Sequence, residues 1–114
     1  MMTFEKLIQQ KPTLEWRRRM EEGDDLFTDE AINAADVILD SYISRLKELE
    51  DRPAEAAIME NVKEVVSRFN ELNDQHDYFI ETMEREELAE FIQEGAKIAG
   101  LKTKEDITEE WREW

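Results

Sequence analysis

Apolar residues recur every three or four positions along most of this chain, with polar and charged residues between them. That spacing places them on one face of a helix. The clearest seam is Ile32, Ala35, Leu39, Tyr42, Leu46 and Leu49. Thr28 stands where a cap belongs, and Asp29 and Glu30 fall in the first turn, where the helix dipole favours negative charge. A second seam, Ile58, Val62, Val65, Phe69 and Leu72, follows Pro53, which suits the first turn of a new helix. The short connection predicts that these two helices are antiparallel neighbours. The polar run Asn73 to Asp77 breaks the pattern. A third helix is strongest from Met83 to Ala99, through Leu88, Phe91, Ile92, Ala96 and Ala99, and Gly100 sits where a left-handed cap would end it.

Shorter pieces flank these three. Thr3 can cap a helix from Phe4 to about Gln10, ended by Pro12. Thr13 can cap another from Leu14 to Glu22, with Gly23 after its end and a turn from Asp24 to Phe27. Thr103 and Asp106 resemble a capping box before a short helical tail, Ile107 to Trp114. No four-residue alternation bounded by turn residues marks a strand, and no repeat of fixed period occurs. The expectation is therefore an all-α fold. It is a small helical bundle of three main helices plus short N- and C-terminal helices, one domain over residues 1–114.

Composition changes the picture mainly through charge. Of 114 residues, 30 are acidic and 15 basic, giving a net charge of −15. Such a field repels phosphates and anionic membranes, so direct nucleic-acid or membrane binding is disfavoured. A basic protein is the favoured kind of partner. At 40% the hydrophobic content argues for a packed core rather than disorder. The absence of cysteine removes disulfides, zinc–thiolate sites and thiol catalysis together. No long apolar run precedes a small-residue cleavage site between Met1 and Gln10, so no signal peptide is expected. No stretch approaches the length of a membrane span, and the cytoplasm is the default location.

The chemistry-bearing candidates are few. From Glu71 to Glu94 the chain carries nine carboxylates and a single base, Arg85, a net of −8. Glu86, Glu90 and Glu94 fall at i, i+4 and i+8, one stripe on a helix. The stretch reads either as a docking face for a basic partner or as a solvated face that keeps the chain in solution. Candidate partner-binding residues are Glu81, Glu86, Glu87, Glu90, Glu94, Trp111 and Trp114. The two tryptophans lie at i, i+3, where they can anchor a partner or seal one end of the bundle. The triplet Arg17-Arg18-Arg19 reads either as an anion grip or as helix-surface pairs, Glu15–Arg19, Arg17–Glu21 and Arg18–Glu22.

His76, the only histidine, lies among carboxylates in Asn73-Asp74-Gln75-His76-Asp77. It lacks the Glu-x-x-His spacing of helical di-iron sites and the His-Glu-x-x-His zinc motif, and reads as a loop histidine. There is no Gly-rich phosphate loop and no serine elbow. No catalytic residue, metal ligand or cofactor is assigned, and the chain is not expected to be an enzyme.

From Asp24 onward the chain resembles a family of small uncharacterised bacterial proteins, a domain of unknown function. Asp25-Leu26-Phe27, Phe69-Asn70-Glu71-Leu72, Ile80-Glu81-Thr82 with Glu84-Arg85-Glu86, Gly100 and Arg112-Glu113-Trp114 carry the resemblance. The turn Asp24 to Thr28 departs from it, lacking an extra aromatic and a proline. That family has no established activity, so the resemblance implies no catalytic residue. In composition the chain is also similar to bacterial immunity proteins, which mask a toxin. The expected function is a small acidic protein-binding module, an immunity-type or regulatory inhibitor of a basic partner. A carboxylate-bound metalloprotein or enzyme and a nucleic-acid charge mimic are the alternatives. The seams allow a monomer or a homodimer.

Overall fold

A computed structural model describes residues 3–24, 27–49, 53–102 and 105–114. The described residues form five helices and no strand: α1 (Phe4–Ile8), α2 (Pro12–Glu21), α3 (Asp29–Lys47), α4 (Glu55–Gln75) and α5 (Thr82–Ala99). The three long helices are those that the apolar spacing predicts. Every residue of the α4 seam is buried, as is every residue of the α3 seam up to Leu46; Leu49, beyond the helix end, is half-buried.

Most helix ends follow local chemistry. The Thr3 hydroxyl accepts from the Lys6 amide at 3.2 Å, and the Thr28 hydroxyl accepts from the Ala31 amide at 3.1 Å. Gly23 and Gly100 take positive φ angles of 104° and 120°. After each glycine the next amide reaches back five residues, Asp24 to the Arg19 carbonyl at 3.0 Å and Leu101 to the Ala96 carbonyl at 2.9 Å. These are Schellman ends, which need a residue tolerant of left-handed backbone.

Four residues at helix boundaries differ from the sequence expectation. Pro12 starts α2 rather than merely ending α1, because the first helical position has no use for an amide proton. Thr13 therefore lies inside α2, and its buried hydroxyl donates to Asp36 of α3 instead of capping. Asn73 belongs to α4, where its side-chain oxygen accepts from the Ile80 amide at 2.9 Å. Pro53 precedes the α4 cap, Ala54, instead of entering the first turn.

The tail is the fifth difference. Residues 107–111 form turns rather than an α-helix. Thr103 of the expected capping box lies outside the described residues. Asp106 starts the turns alone, its carboxylate accepting from the Thr108 amide at 2.9 Å and from the Thr108 hydroxyl at 2.6 Å. A segment this short forms a helix only where its surroundings favour one. Asn70 of α4 binds its backbone instead, donating to the Trp111 carbonyl at 2.9 Å and accepting from the Glu113 amide at 3.0 Å.

α3 packs most extensively on α4, and α5 lies against both. At the α3–α5 crossing the buried Tyr42 hydroxyl donates to the Ile92 carbonyl at 2.7 Å. Burial raises the pKa of that phenol far above its ordinary value. The small helices close the opposite side. Trp16 of α2, fully buried, stacks on Phe27 at 5.7 Å and meets Phe79 edge-on at 5.7 Å. That aromatic cluster joins α2 to the segments just before α3 and α5. No helix among the described residues is long and apolar enough to cross a membrane.

Candidate docking surface

The corner between α4 and α5 is built on an unusual backbone. α4 ends at Gln75, and His76, the half-buried residue that follows, sends its amide to the Leu72 carbonyl at 3.1 Å. Asp77 and Tyr78 then take φ angles of 59° and 56° in succession. Asp tolerates left-handed backbone, but a bulky residue there is strained by about 1 kcal/mol or more. The turn is held from both sides: the Tyr78 amide donates to the Asn73 carbonyl at 2.8 Å, and the Ile80 amide to the Asn73 side chain. Phe79 and Ile80 plunge into the core while Tyr78 is turned outward, 66% exposed. Its hydroxyl donates to Asp74 at 2.7 Å, and that carboxylate holds the phenol's pKa above its ordinary value.

Glu81 follows as the cap of α5, forming a capping box with Glu84; the Glu81 amide donates to the Glu84 carboxylate at 3.2 Å. Met83, in the first turn, is 58% exposed. An aromatic and a thioether thus stand in water on either side of Glu81.

The expected acidic stretch divides in two. Glu84 and Glu87 are engaged internally. Arg19 of α2 donates to Glu84 at 3.0 Å and grips Glu87 through two nitrogens at 3.0 and 2.9 Å. The Trp16 indole also donates to Glu87 at 3.2 Å. Burial raises the pKa of Glu84, outweighing its amide bonds and Arg19. At Arg19 the bond from Glu87 wins over burial and raises the guanidinium's pKa. Of the seven candidates, Glu87 is therefore a structural ion-pair partner as well as a surface acid.

The other group faces water. Glu71, Asp74, Asp77, Glu81, Glu86 and Glu90 are exposed and make no ion pair among the described residues. Glu94 meets Lys97 at only 3.8 Å. Glu87, Glu90 and Glu94 also line a groove of about 220 Å³ against α1 and α2, with Leu7, Pro12 and Phe91 among its apolar members.

Trp111 and Trp114 belong to a different region. Both are half-buried and pack against the core. The Arg112 guanidinium lies 5.7 Å from the Trp114 ring centre, and the buried Trp114 indole nitrogen has no hydrogen-bond partner among the described residues. The tail is tied to α4 through Asn70 and to α5 through Gln93, whose side chain accepts from the Ile107 amide at 3.3 Å.

The arginine triplet also divides. Arg18 pairs with Glu22 at 2.8 Å, as helix spacing predicts, and with Glu15. Arg19 leaves Glu15 for α5, while Arg17 reaches α3, donating to Asn33 at 2.9 Å and lying 3.6 Å from Asp36. Each gains a partner on a neighbouring helix that sequence spacing cannot see. Among the described residues no three His, Asp or Glu side chains converge where they could hold a metal ion.

Tyr78 and Met83 escape sequence reasoning. Within Tyr78-Phe79-Ile80 nothing marks which apolar residue turns outward, since the left-handed pair that decides it contains no glycine. Asp25 and Leu26, which carry part of the family resemblance, lie outside the described residues. No family model matches the chain, and neither a curated protein nor a solved structure does.

Proposed function

We propose that this chain is a protein-binding module of the immunity or regulatory-inhibitor kind, which docks a basic partner on the α4–α5 corner and the exposed positions of α5. One observation carries the reading. Six exposed carboxylates there lack counter-ions among the described residues, and the same stretch of chain exposes a tyrosine and a methionine. Uncompensated charge of one sign speeds the encounter with an opposite charge. Tyrosine supplies large contact area at low entropic cost, and is a frequent hot spot. The strained Asp77–Tyr78 backbone fits this role, since strain of that kind tends to persist where it positions a functional group.

The test is a pull-down from the native host, comparing the natural chain with a variant combining Tyr78→Ala, Glu86→Lys and Glu90→Lys. The natural chain should retain a basic protein whose capture falls about tenfold or more as salt rises from about 0.05 to 0.5 M. The variant should lose it. Capture that ignores salt, or that survives the triple change, contradicts the proposal.

A further inference from the structure

The side of the bundle where the tail meets α4 carries a second groove, of about 480 Å³. We propose that it docks a segment of a basic protein that presents a large apolar side chain flanked by lysine or arginine. Its floor is apolar: Leu101 and Ile107 are buried, and Met59 of α4 is half-buried. Its rim is acidic: Glu55 comes from the first turn of α4, and Glu109 and Glu110 from the tail. Those three are exposed and make no ion pair among the described residues. Asp106 also lines the groove, but Arg112 at 2.8 Å and Thr108 occupy its carboxylate, so it braces the wall. Among the described residues no lysine or arginine lines the groove.

The two halves select together. An apolar floor alone accepts any hydrophobe, and carboxylates alone accept any cation. Lysine and arginine can lay their methylene stems on an apolar surface while the charged heads reach the rim. A second copy of the chain is disfavoured as occupant, because it brings a net charge of −15 toward the same acids. An anionic lipid surface is disfavoured for the same reason. This groove is separate from the α4–α5 corner, and its occupancy does not depend on that surface binding anything.

Two labelled peptides of equal charge test it, one alternating lysine with leucine and one alternating lysine with serine. Binding is read by fluorescence anisotropy at about 0.15 M salt. The leucine peptide should bind about tenfold or more tightly than the serine peptide. Combining Glu55→Lys, Glu109→Lys and Glu110→Lys should abolish that binding. An equal change of charge elsewhere, at Glu21, Glu30 and Glu48, should spare most of it. Met59→Gln keeps the charge and alters only a half-buried side chain at the edge of the core; it should weaken the leucine peptide alone, which decides the matter even if the triple variant misfolds. Equal affinity for the two peptides overturns the proposal, since charge alone is then at work. So does equal loss from the two charge sets. If changes at Glu71, Glu86 and Glu90 abolish binding while the groove changes do not, the peptide sits at the α4–α5 corner and the groove is not its site.

Discussion

At Gly95 the helix α5 lies tight against α3. A Cβ added there would lie 3.0 Å from the Tyr42 ring and 3.3 Å from Leu46. Tyr42 cannot swing away without breaking its bond to the Ile92 carbonyl. Overpacking of this kind costs about 1–3 kcal/mol, and the better helix propensity of alanine returns at most about 1 kcal/mol. Gly95→Ala should therefore lower the urea midpoint while leaving the slope of the transition unchanged. Glu84 offers a test with a definite sign. Burial raises its folded pKa above the ordinary carboxylate value, so the folded chain holds that proton more tightly than the unfolded one. Its contribution to stability is complete below the unfolded value and is lost as pH rises through the folded one. Glu84→Gln mimics the protonated form. The variant's stability relative to the natural chain should therefore improve between pH 4 and 7, as measured by urea titrations along that range; a decline would show that the Arg19 pairing outweighs burial. Neither effect can be read from the sequence, where Gly95 is one glycine within a helix and Glu84 one carboxylate among nine.

α2 has only ten residues, too few for a stable helix in isolation. Tertiary ties hold it: Thr13 to Asp36, Trp16 in the aromatic cluster, and Arg19 on Glu84 and Glu87. The Arg19 and Glu84 side chains are largely buried. Replacing Arg19 by Met strips the cation from a buried carboxylate while keeping the apolar stem, which should cost about 3 kcal/mol. Amide hydrogen exchange in α2 should speed up before that in α4, because the damage is local to the clamp. For α3, α4 and α5 the sequence was close to sufficient. Thr28 and Gly100 mark ends by chemistry that operates within a few residues. It failed at Thr13 and the tail, where a neighbouring helix supplied a better hydrogen-bond partner than the local one. Residues 107–114 read as a helix only because their spacing is helical; the Asn70 side chain binds their backbone as turns.

Across the whole molecule, charge is the dominant stress. With a net charge of −15 the folded chain repels itself, and salt should relieve more repulsion than the attraction it screens in surface ion pairs. The melting temperature should rise between about 0.01 and 0.3 M sodium chloride, and a fall would show that the ion pairs dominate. The candidate surface was half legible at this scale. The acidic stretch from Glu71 to Glu94 is plain in the sequence, but the removal of Glu84 and Glu87 by Arg19 is not. Nor is the outward turn of Tyr78, or the meeting of Glu55 with Glu109 and Glu110 around an apolar floor. The sequence alone determined the helical class, the three long helices and their buried faces. Those follow from apolar spacing and from caps that act over three or four residues. Only the tertiary structure decided which charges are paired, which aromatic is exposed and where a groove forms. Those depend on residues distant along the chain becoming neighbours, and no local pattern encodes who those neighbours are.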